Sequence, residues 1–406
     1  MCPIGSLMDR QDAVHAMVSA AKLEVPVEDV PLGKSTNRIL GCDVRCKLDL
    51  PPFDRSLRDG YAVRSDDLMG ASSGSPSFLN VVGEVPVGGV PDFKIPQQGA
   101  AVIHTGGMLP DGADCVAMLE DTSLVGSILE VRRALQRGEN VVFKGEEAPA
   151  GSVVLGRGTL LSEAHVGLLA SQGIKDVPCL GLRSCVFSSG DEIKPVGEAI
   201  PYGMLYDVNG WFICSALSRI GIESSYGGIL EDRAVNIREK IRDAMEWAHV
   251  IIISGGSSIS VRDHLEEVFS TFDHPGLIVR GINVQPGKPL LGAVTGSPAR
   301  VVLGLPGHPL SCATSFYTFV TPMLEMMFGG SGWNVKTLKI SLAEDLPARS
   351  GIEEFVPGKI CDDGVVPIFS ASSYSGVLAN CDGLIRVPKD RETLRRRETV
   401  DLWMIR

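Results

Sequence analysis

The sequence lacks the patterns of an exported or zinc-stabilised protein. Its ten cysteines include no C-x-x-C pair, the two closest being Cys42 and Cys46, and no histidine cluster accompanies them. This spacing argues against disulfides and a structural zinc ion and favours reduced thiols. The opening residues, MCPIGSLMDR, have no basic start followed by an apolar run. We therefore expect a cytoplasmic protein.

A surplus of positive charge is lacking as well. Lys and Arg number 38 against 49 Asp and Glu, which gives a formal net charge of −11. Non-specific binding to nucleic acid needs a basic face, and the runs Arg132–Arg133 and Arg395–Arg397 are too short to provide one. We expect no nucleic-acid partner. Any anionic substrate must be held by local devices such as helix N-termini, single lysines or metal ions.

A membrane partner is not expected either. The most apolar long stretch, from Pro309 to Phe328, has the ~20 residues that a transmembrane helix needs. It contains Glu325, Pro322 and several hydroxylic side chains, which are costly in lipid. We predict that this stretch is a buried helix.

The length of 406 residues predicts two to four domains. From residue 63 to about 145, glycines, prolines and short β-branched runs predict a small β-rich domain, and the stretch 336–406 predicts another. Between Arg183 and Phe328, apolar strands alternate with helices, a pattern typical of a doubly wound parallel sheet with both faces covered. The predicted strands are Ser184–Phe187, His249–Ile253 and Val301–Leu305, and the predicted helices are Met8–Lys22, Ser162–Ser171, Val208–Ile220, Glu231–Trp247 and Pro309–Phe328.

Three loops follow these strands and should converge on one edge of the sheet: Ser188–Glu192, Ser254–Asp263 and Gly304–Pro309. The glycines Gly255 and Gly256 would let the backbone approach a ligand closely, and the helix that follows would direct its amides at a phosphate. Taken alone, each loop is better explained as an ordinary glycine-rich turn. Three at corresponding strand ends favour a binding site.

Acidic residues in these loops favour a metal ion. Asp191, Glu192 and Asp263 would lie beside any bound phosphate, an arrangement that normally recruits Mg²⁺. Lys288, in the run QPGKP, is a candidate point charge for a phosphate or oxyanion, with an ordinary surface lysine as the alternative. His308 is a candidate ligand contact, with a loop histidine satisfied by backbone as the alternative.

A second polar cluster lies far away in the sequence. Pro51–Val63 reads PPFDRSLRDGYAV, which predicts a rigid polar loop and not a surface strand. From this loop and the run HTGG, we expect Asp54, Asp59 and Thr105 on a binding face, although a purely structural role remains open.

These runs carry a resemblance to a known family. PPFDRSLRDGYAV resembles the PPFDNSAMDGYAV signature of the MoeA-type molybdopterin molybdenumtransferases, which include the gephyrin E domain. Six further runs match in the same order, namely HTGGMLPDGAD, FSSGDE, YDVN, ISGGSSIS, QPGKP and GLPGHP. The resemblance covers essentially the whole chain.

The resemblance implies an α/β multidomain protein that forms an elongated homodimer, with a MogA-like doubly wound domain and small β-rich domains. The implied domains are a discontinuous N-terminal domain (1–51 and 146–180), an inserted β-rich domain (52–145), the doubly wound molybdopterin-binding domain (181–330) and a C-terminal β domain (331–406). In the family, the active cleft lies between the doubly wound domain of one subunit and the inserted domain of its partner.

The implied activity is insertion of molybdate into adenylyl-molybdopterin with release of AMP, completing the molybdenum cofactor. Mg²⁺ would be held by Asp191, Glu192 and Asp263. The implied catalytic residues are Asp59, Thr105, Glu192, Asp232 and Asp263. The implied substrate contacts are Ser189, Gly190, Gly255, Gly256, Ser257, Lys288, Pro306, Gly307 and His308.

The chain departs from the family in three places. An arginine is lost and an aspartate becomes Glu147 in the run NVVFKGEE; the run after SSIS reads VRDH; and FVPG lacks an arginine that is usual in the last domain. The alternatives are a pterin adenylyltransferase or nucleotide pyrophosphatase of related fold, a tungstate-specific homologue, or a scaffold or divergent paralogue that binds pterin or a peptide without turnover.

Overall fold

The computed structural model describes residues 7–255, 259–329 and 335–405, and side chains between 256 and 263 lie outside the description. The chain forms two compact units. One joins the chain up to Cys42 with the chain from Gly156 onward, and the other runs from Asp43 to Leu155. The division into four domains stays a prediction.

The helices are as follows: α1 (Arg10–Ala20), α2 (Glu163–Ser171), α3 (Asn209–Arg219), α4 (Ala234–Met245), α5 (Ile259–Ser270), α6 (Pro309–Ser315), α7 (Thr321–Phe328) and α8 (Gly376–Asn380). Each predicted helix is confirmed to within a few residues. The start of α2 is capped by Ser162, whose backbone N–H donates to Nδ1 of His165 at 3.0 Å.

A six-stranded sheet forms the centre of the larger unit, with strands β1 (Arg183–Ser189), β2 (Glu223–Leu230), β3 (Val250–Ser254), β4 (Gly276–Arg280), β5 (Leu291–Thr295) and β6 (Arg300–Leu305). Their order is β2-β1-β3-β6-β5-β4. The first four run parallel, which confirms the predicted sheet. The antiparallel addition of β5 and β4 was not predicted. Only a short turn, 296–299, joins β5 to β6, and so short a connection allows antiparallel pairing alone.

Strand β3 illustrates why helices cover both faces of this sheet. Val250 and Ile252 belong to one apolar core, whereas Ile251 and Ile253 belong to another, because side chains alternate along a strand. The first core is completed by α1, α3 and the helical stretch 309–328, and the second by α4 and α5. The sheet is therefore buried on both sides, and only its strand ends are free to form a site.

The apolar stretch 309–328 is a buried helix, as predicted, but a π-helical turn, Phe316–Val320, separates α6 from α7. Pro322 has no N–H to donate to the carbonyl oxygen of Thr318, one turn earlier. Nη1 of Arg10 donates to that oxygen at 3.3 Å instead, and Nε of Arg10 is held 2.8 Å from Oε2 of Glu353. No helix in the described part of the chain is long and apolar enough to cross a membrane.

The remaining strands of the larger unit build a second sheet, in the order Val284–Gln285, Glu353–Cys361, Gly383–Val387, Thr399–Met404 and Thr337–Ser341, with Gly364–Pro367 paired to the second of these. The predicted β-rich character of the C-terminal region is confirmed. Shorter pairs in this unit are Val27–Pro31 with Asp176–Leu180, Ile193–Lys194 with Leu205–Tyr206, and Leu346–Pro347 with Thr393–Leu394.

The smaller unit is built around a third sheet, in the order Cys115–Met118, Gly60–Val63, Gly99–Ile103, Ser77–Glu84, Ile128–Val131 and Thr122–Val125. Two short pairs accompany it, Val44–Arg45 with Val153–Leu155 and Arg55–Ser56 with Val141–Val142. Its core contains small and β-branched side chains such as Val63, Ala100 and Ala117. The predicted β-rich character of this region is also confirmed.

A buried histidine marks the end of the central sheet opposite the loops. His249 precedes β3, and its Nδ1 accepts a hydrogen bond from the backbone N–H of Arg183 at 3.1 Å. Burial, together with the positive charges of Arg300 and Arg183, lowers the pKa of His249 below its ordinary value of 6.5. The folded protein therefore favours the neutral imidazole.

We expect this histidine to make folding stability depend on pH. A lowered folded-state pKa contributes stability that is present above pH 6.5, the ordinary value, and is lost as the pH falls through the folded-state pKa. The variant His249→Asn keeps an acceptor but cannot take up a proton. Its melting temperature should therefore fall less than that of the wild type between pH 7.5 and acidic pH. An equal fall in the melting temperatures of the two proteins over this pH range would contradict this assignment.

Candidate active site at the strand ends

A cavity opens where β1, β3 and β6 end. Ser188 lies opposite Ser254, and Ser254 lies opposite Leu305, so the three strands finish level with one another. The cavity has a volume of about 460 Å³ and is lined by all three following segments. Five of the predicted site residues line it, namely Ser189, Gly190, Glu192, Gly307 and His308.

The backbone around this cavity is closely packed. A Cβ atom on Gly255 would lie 2.6 Å from the carbonyl oxygen of Ser189, so only glycine fits there. The Oγ of Ser189 is buried and has no hydrogen-bond partner among the described residues. A buried hydroxyl without a partner is costly, and a ligand in the cavity could satisfy it. Oγ of Ser254 donates a hydrogen bond to the carbonyl oxygen of Pro306 at 3.4 Å.

Two buried polar residues, Asp207 and Asn209, line the cavity and form hydrogen bonds to the loops. Oδ1 of Asp207 accepts from Oγ of Ser188 at 2.8 Å, and its Oδ2 accepts from the hydroxyl of Tyr226 at 2.7 Å. Nδ2 of Asn209 donates to Oγ of Ser254 at 2.9 Å and to the carbonyl oxygen of Gly307 at 2.7 Å. We assigned neither residue a role from the sequence. Their position at a predicted helix start, within the run YDVN, was the available signal.

Three acidic residues influence one another near the cavity. Burial raises the pKa of Asp232; the charge of His264 lowers it in part, and the charges of Asp191 and Glu192 each raise it by less. Oδ1 of Asp232 is buried and has no hydrogen-bond partner in the described part of the chain. The described residues nevertheless hold no ready-made set of three metal ligands. The side chain of Asp263, together with Gly256 and Ser257, lies outside the described residues.

Lys288 lies in a different cavity from the glycine loops. That cavity, of about 660 Å³, is also lined by Arg349 and Glu354. Burial raises the pKa of Glu354, while the charge of Arg349 lowers it in part. His308 has a side-chain partner in place of the expected backbone partner, because its Nδ1 lies 3.0 Å from Oγ of Ser372, which lines the cavity of Lys288.

The smaller unit joins Asp59 and Thr105. The backbone N–H of Thr105 donates to Oδ1 of Asp59 at 2.8 Å. This hydrogen bond is the main reason why the pKa of Asp59 lies below its ordinary value. Nδ1 of His104 lies 3.6 Å from the same carboxylate oxygen. Asp54 does not share this site, since its side chain accepts from the backbone N–H of Lys144 at 2.7 Å.

Comparison with known proteins accounts for almost the whole chain. Three family models match in succession: the MoeA N-terminal region (domain I and II) over residues 8–173, a "probable molybdopterin binding domain" over 185–326, and the MoeA C-terminal region (domain IV) over 339–405. The chain belongs to the MoeA family. It is an enzyme of molybdenum cofactor biosynthesis.

Individual relatives agree with this assignment. The molybdopterin molybdenumtransferase of Nostoc sp. is 30% identical over 384 residues, covering 93% of this chain and 88% of that protein. The enzyme of the same name from Staphylococcus aureus is 28% identical over 400 residues, covering 97% and 94%. Two crystal structures of MoeA from Pyrococcus horikoshii superpose with TM-scores of 0.78 and 0.83, at 32% and 27% identity, covering 99% and 98% of this chain and all of theirs.

The close packing at Gly255 generates a prediction. We expect Gly255→Ala to lower the free energy of unfolding by about 1–3 kcal/mol, because the added methyl group meets backbone. The control is Gly167→Ala in α2, where nothing lies within 4 Å of the new Cβ and where alanine should stabilise the helix by about 0.5–1 kcal/mol. Denaturant unfolding measures both changes. Equal stability of the two variants would mean that Gly255 is not constrained.

Proposed function

We propose that the protein is a molybdopterin molybdenumtransferase, acting in the cytoplasm as a homodimer, that inserts molybdate into adenylyl-molybdopterin and releases AMP. The observation that carries this proposal is the match to the MoeA family from residue 8 to residue 405. The cavity at the carboxyl ends of parallel strands supports it, because α/β sheets bind their ligands at that edge.

The lining of the cavity suits a phosphorylated substrate. Gly190 and Gly307 line the cavity and let the backbone approach phosphate oxygens, and we assign the same role to Gly255, which follows the lining residue Ser254. The hydroxyl of Ser189, without a partner among the described residues, can donate to one of these oxygens. Gly256, Ser257 and Pro306 belong to the same loops in the sequence, and we assign them the same role. His308 links this cavity to the neighbouring one through Ser372.

Lys288 is the proposed contact for an oxyanion. A lysine provides a compact point charge for phosphate or molybdate. Arg349 lines the same cavity and would add a second positive charge. Pro309 and Leu310, the first two residues of α6, line one cavity each, so the two cavities are neighbours. This arrangement suits a substrate that reacts with a separate oxyanion.

The acidic residues fit a Mg²⁺ ion. Carboxylate oxygens are hard ligands of the kind that Mg²⁺ prefers, and two of the proposed ligand residues, Asp191 and Glu192, lie close enough to Asp232 to affect its titration. The charges of Asp191 and Glu192 add to its raised pKa, so a bound cation would relieve their mutual repulsion. We propose that Asp191, Glu192 and Asp263 hold the ion. It would polarise the phosphoanhydride and offset its charge.

Asp59 and Thr105 are the proposed contribution of the inserted domain. Asp59 is exposed and is kept ionised by the N–H of Thr105, so it can accept hydrogen bonds from a substrate. Glu192 and Asp232 complete the proposed catalytic set. In this proposal the protein supplies no covalent nucleophile; its residues bind, orient and exclude water.

The decisive experiment measures AMP release from purified adenylyl-molybdopterin with Mg²⁺, with and without molybdate. We expect molybdate-dependent release together with active cofactor. Tungstate in place of molybdate tests the choice of oxyanion. Tight pterin binding by a folded dimer without AMP release would overturn the proposal and favour a scaffold or divergent paralogue, whereas ATP consumption would favour an adenylyltransferase.

The variant Asp59→Asn tests whether the inserted domain takes part in the reaction. The amide keeps the shape but loses the charge, and we expect insertion to fall by at least about 10²-fold, the usual effect of losing an electrostatic contact in an active site. The control is Asp92→Asn, an exposed aspartate of the same unit. Size-exclusion chromatography checks that both variants stay dimeric. Full activity of Asp59→Asn would remove Asp59 from the site.

A further inference from the structure

We propose that Asp207 and Asn209 are positioning residues of the transferase site, which hold the three strand-end loops in one arrangement through buried hydrogen bonds. This inference rests on the proposed function. Both residues are at least nine-tenths buried, with exposed fractions of 4% and 9%. They stand at the start of α3 and line the cavity.

Asn209 ties two loops together. Its single amide nitrogen donates to Oγ of Ser254, at the end of β3, and to the carbonyl oxygen of Gly307, after β6. Oγ of Ser254 lies in turn 3.6 Å from Sγ of the buried Cys312. One side chain thereby fixes the spacing between the ends of two parallel strands.

Asp207 ties the third loop to the same helix start. Its carboxylate accepts from Oγ of Ser188 at the end of β1, from the backbone N–H of Gly210 at 3.0 Å, and from the hydroxyl of Tyr226 in β2. The bond to Gly210 is ordinary helix capping. The other two bonds join neighbouring strands and exceed what a cap requires. The ring of Tyr226 is held further by stacking on Trp211, with centroids 5.0 Å apart.

The tied residues are neighbours of the proposed substrate contacts. Ser188 precedes Ser189, Ser254 precedes Gly255, and Gly307 precedes His308. Displacing any of these anchors moves the adjacent contact. The network therefore acts on substrate binding through the loops.

The test compares Asn209→Asp with Asn209→Ala in the AMP-release assay. Asn209→Asp keeps the shape but sets a carboxylate oxygen against the carbonyl of Gly307. We expect KM for adenylyl-molybdopterin to rise about tenfold in Asn209→Ala and further in Asn209→Asp. The value of kcat should stay within about threefold of the wild type, because the loops bind the substrate equally well before and during the reaction. Adding Ser254→Ala to Asn209→Ala should raise KM little further, because both substitutions remove the same hydrogen bond, that between Asn209 and Ser254.

Two controls separate positioning from folding. Asn236→Ala removes an amide that donates to Glu231 at 2.7 Å on the exposed start of α4, and KM should not change. Val400→Ala in the core of the C-terminal sheet lowers stability away from the cavity, and KM should again not change. Melting temperatures of all variants are measured alongside.

The outcomes distinguish this inference from the proposed function. An active wild type with the expected rise in KM supports the positioning role. An active wild type with unchanged KM in Asn209→Asp, or with a rise matched by Val400→Ala, overturns it. A folded wild type without molybdate-dependent AMP release overturns the proposed function, and the positioning role with it.

Discussion

The parallel alignment of β1, β3 and β6 is the constraint on which the rest of the larger unit depends. Hydrophobic alternation does not set this alignment, because both faces of β3 are apolar and a slip of one residue would merely exchange two buried faces. The polar strand ends do distinguish one register from another. Ser188 and Ser254 meet Asp207 and Asn209 only when the strands finish level. The hydrogen bonds of Asp207 and Asn209 therefore favour this register of the sheet.

Much of this fold could be predicted because its signals are local. An apolar run such as His249–Ile253 indicates a buried strand wherever it stands, and the observed strand is Val250–Ser254. The strands β4 and β5 escaped prediction, although the short turn 296–299 fixes β5 as antiparallel to β6. The π-helical turn at Phe316–Val320 escaped it too. Pro322 lacks the N–H that would bond to Thr318, and Arg10, some three hundred residues away in sequence, donates to that oxygen.

The candidate site, too, could be predicted from the sequence only in part. The glycine loops could be predicted, because strand-end glycines are unusual and share one edge of the sheet. Asp207 and Asn209 could not, because a polar residue at a helix start is indistinguishable in sequence from a cap. Lys288 looked like part of the phosphate loops, yet it lines the neighbouring cavity. Only the path of the chain after β4 separates the two cavities, and no local pattern records that path.

Charge explains why binding of an anion and binding of a cation should be linked in this protein. The chain carries a net charge of −11, and the pKa of Asp232 is raised by burial and by the charges of Asp191 and Glu192. An anionic substrate entering the cavity would add to this repulsion. A divalent cation bound among the proposed carboxylate ligands would reverse the sign of the local field, so each ligand would favour the other, and by thermodynamic linkage to an equal degree. An acidic protein can therefore hold a phosphorylated substrate without a basic surface.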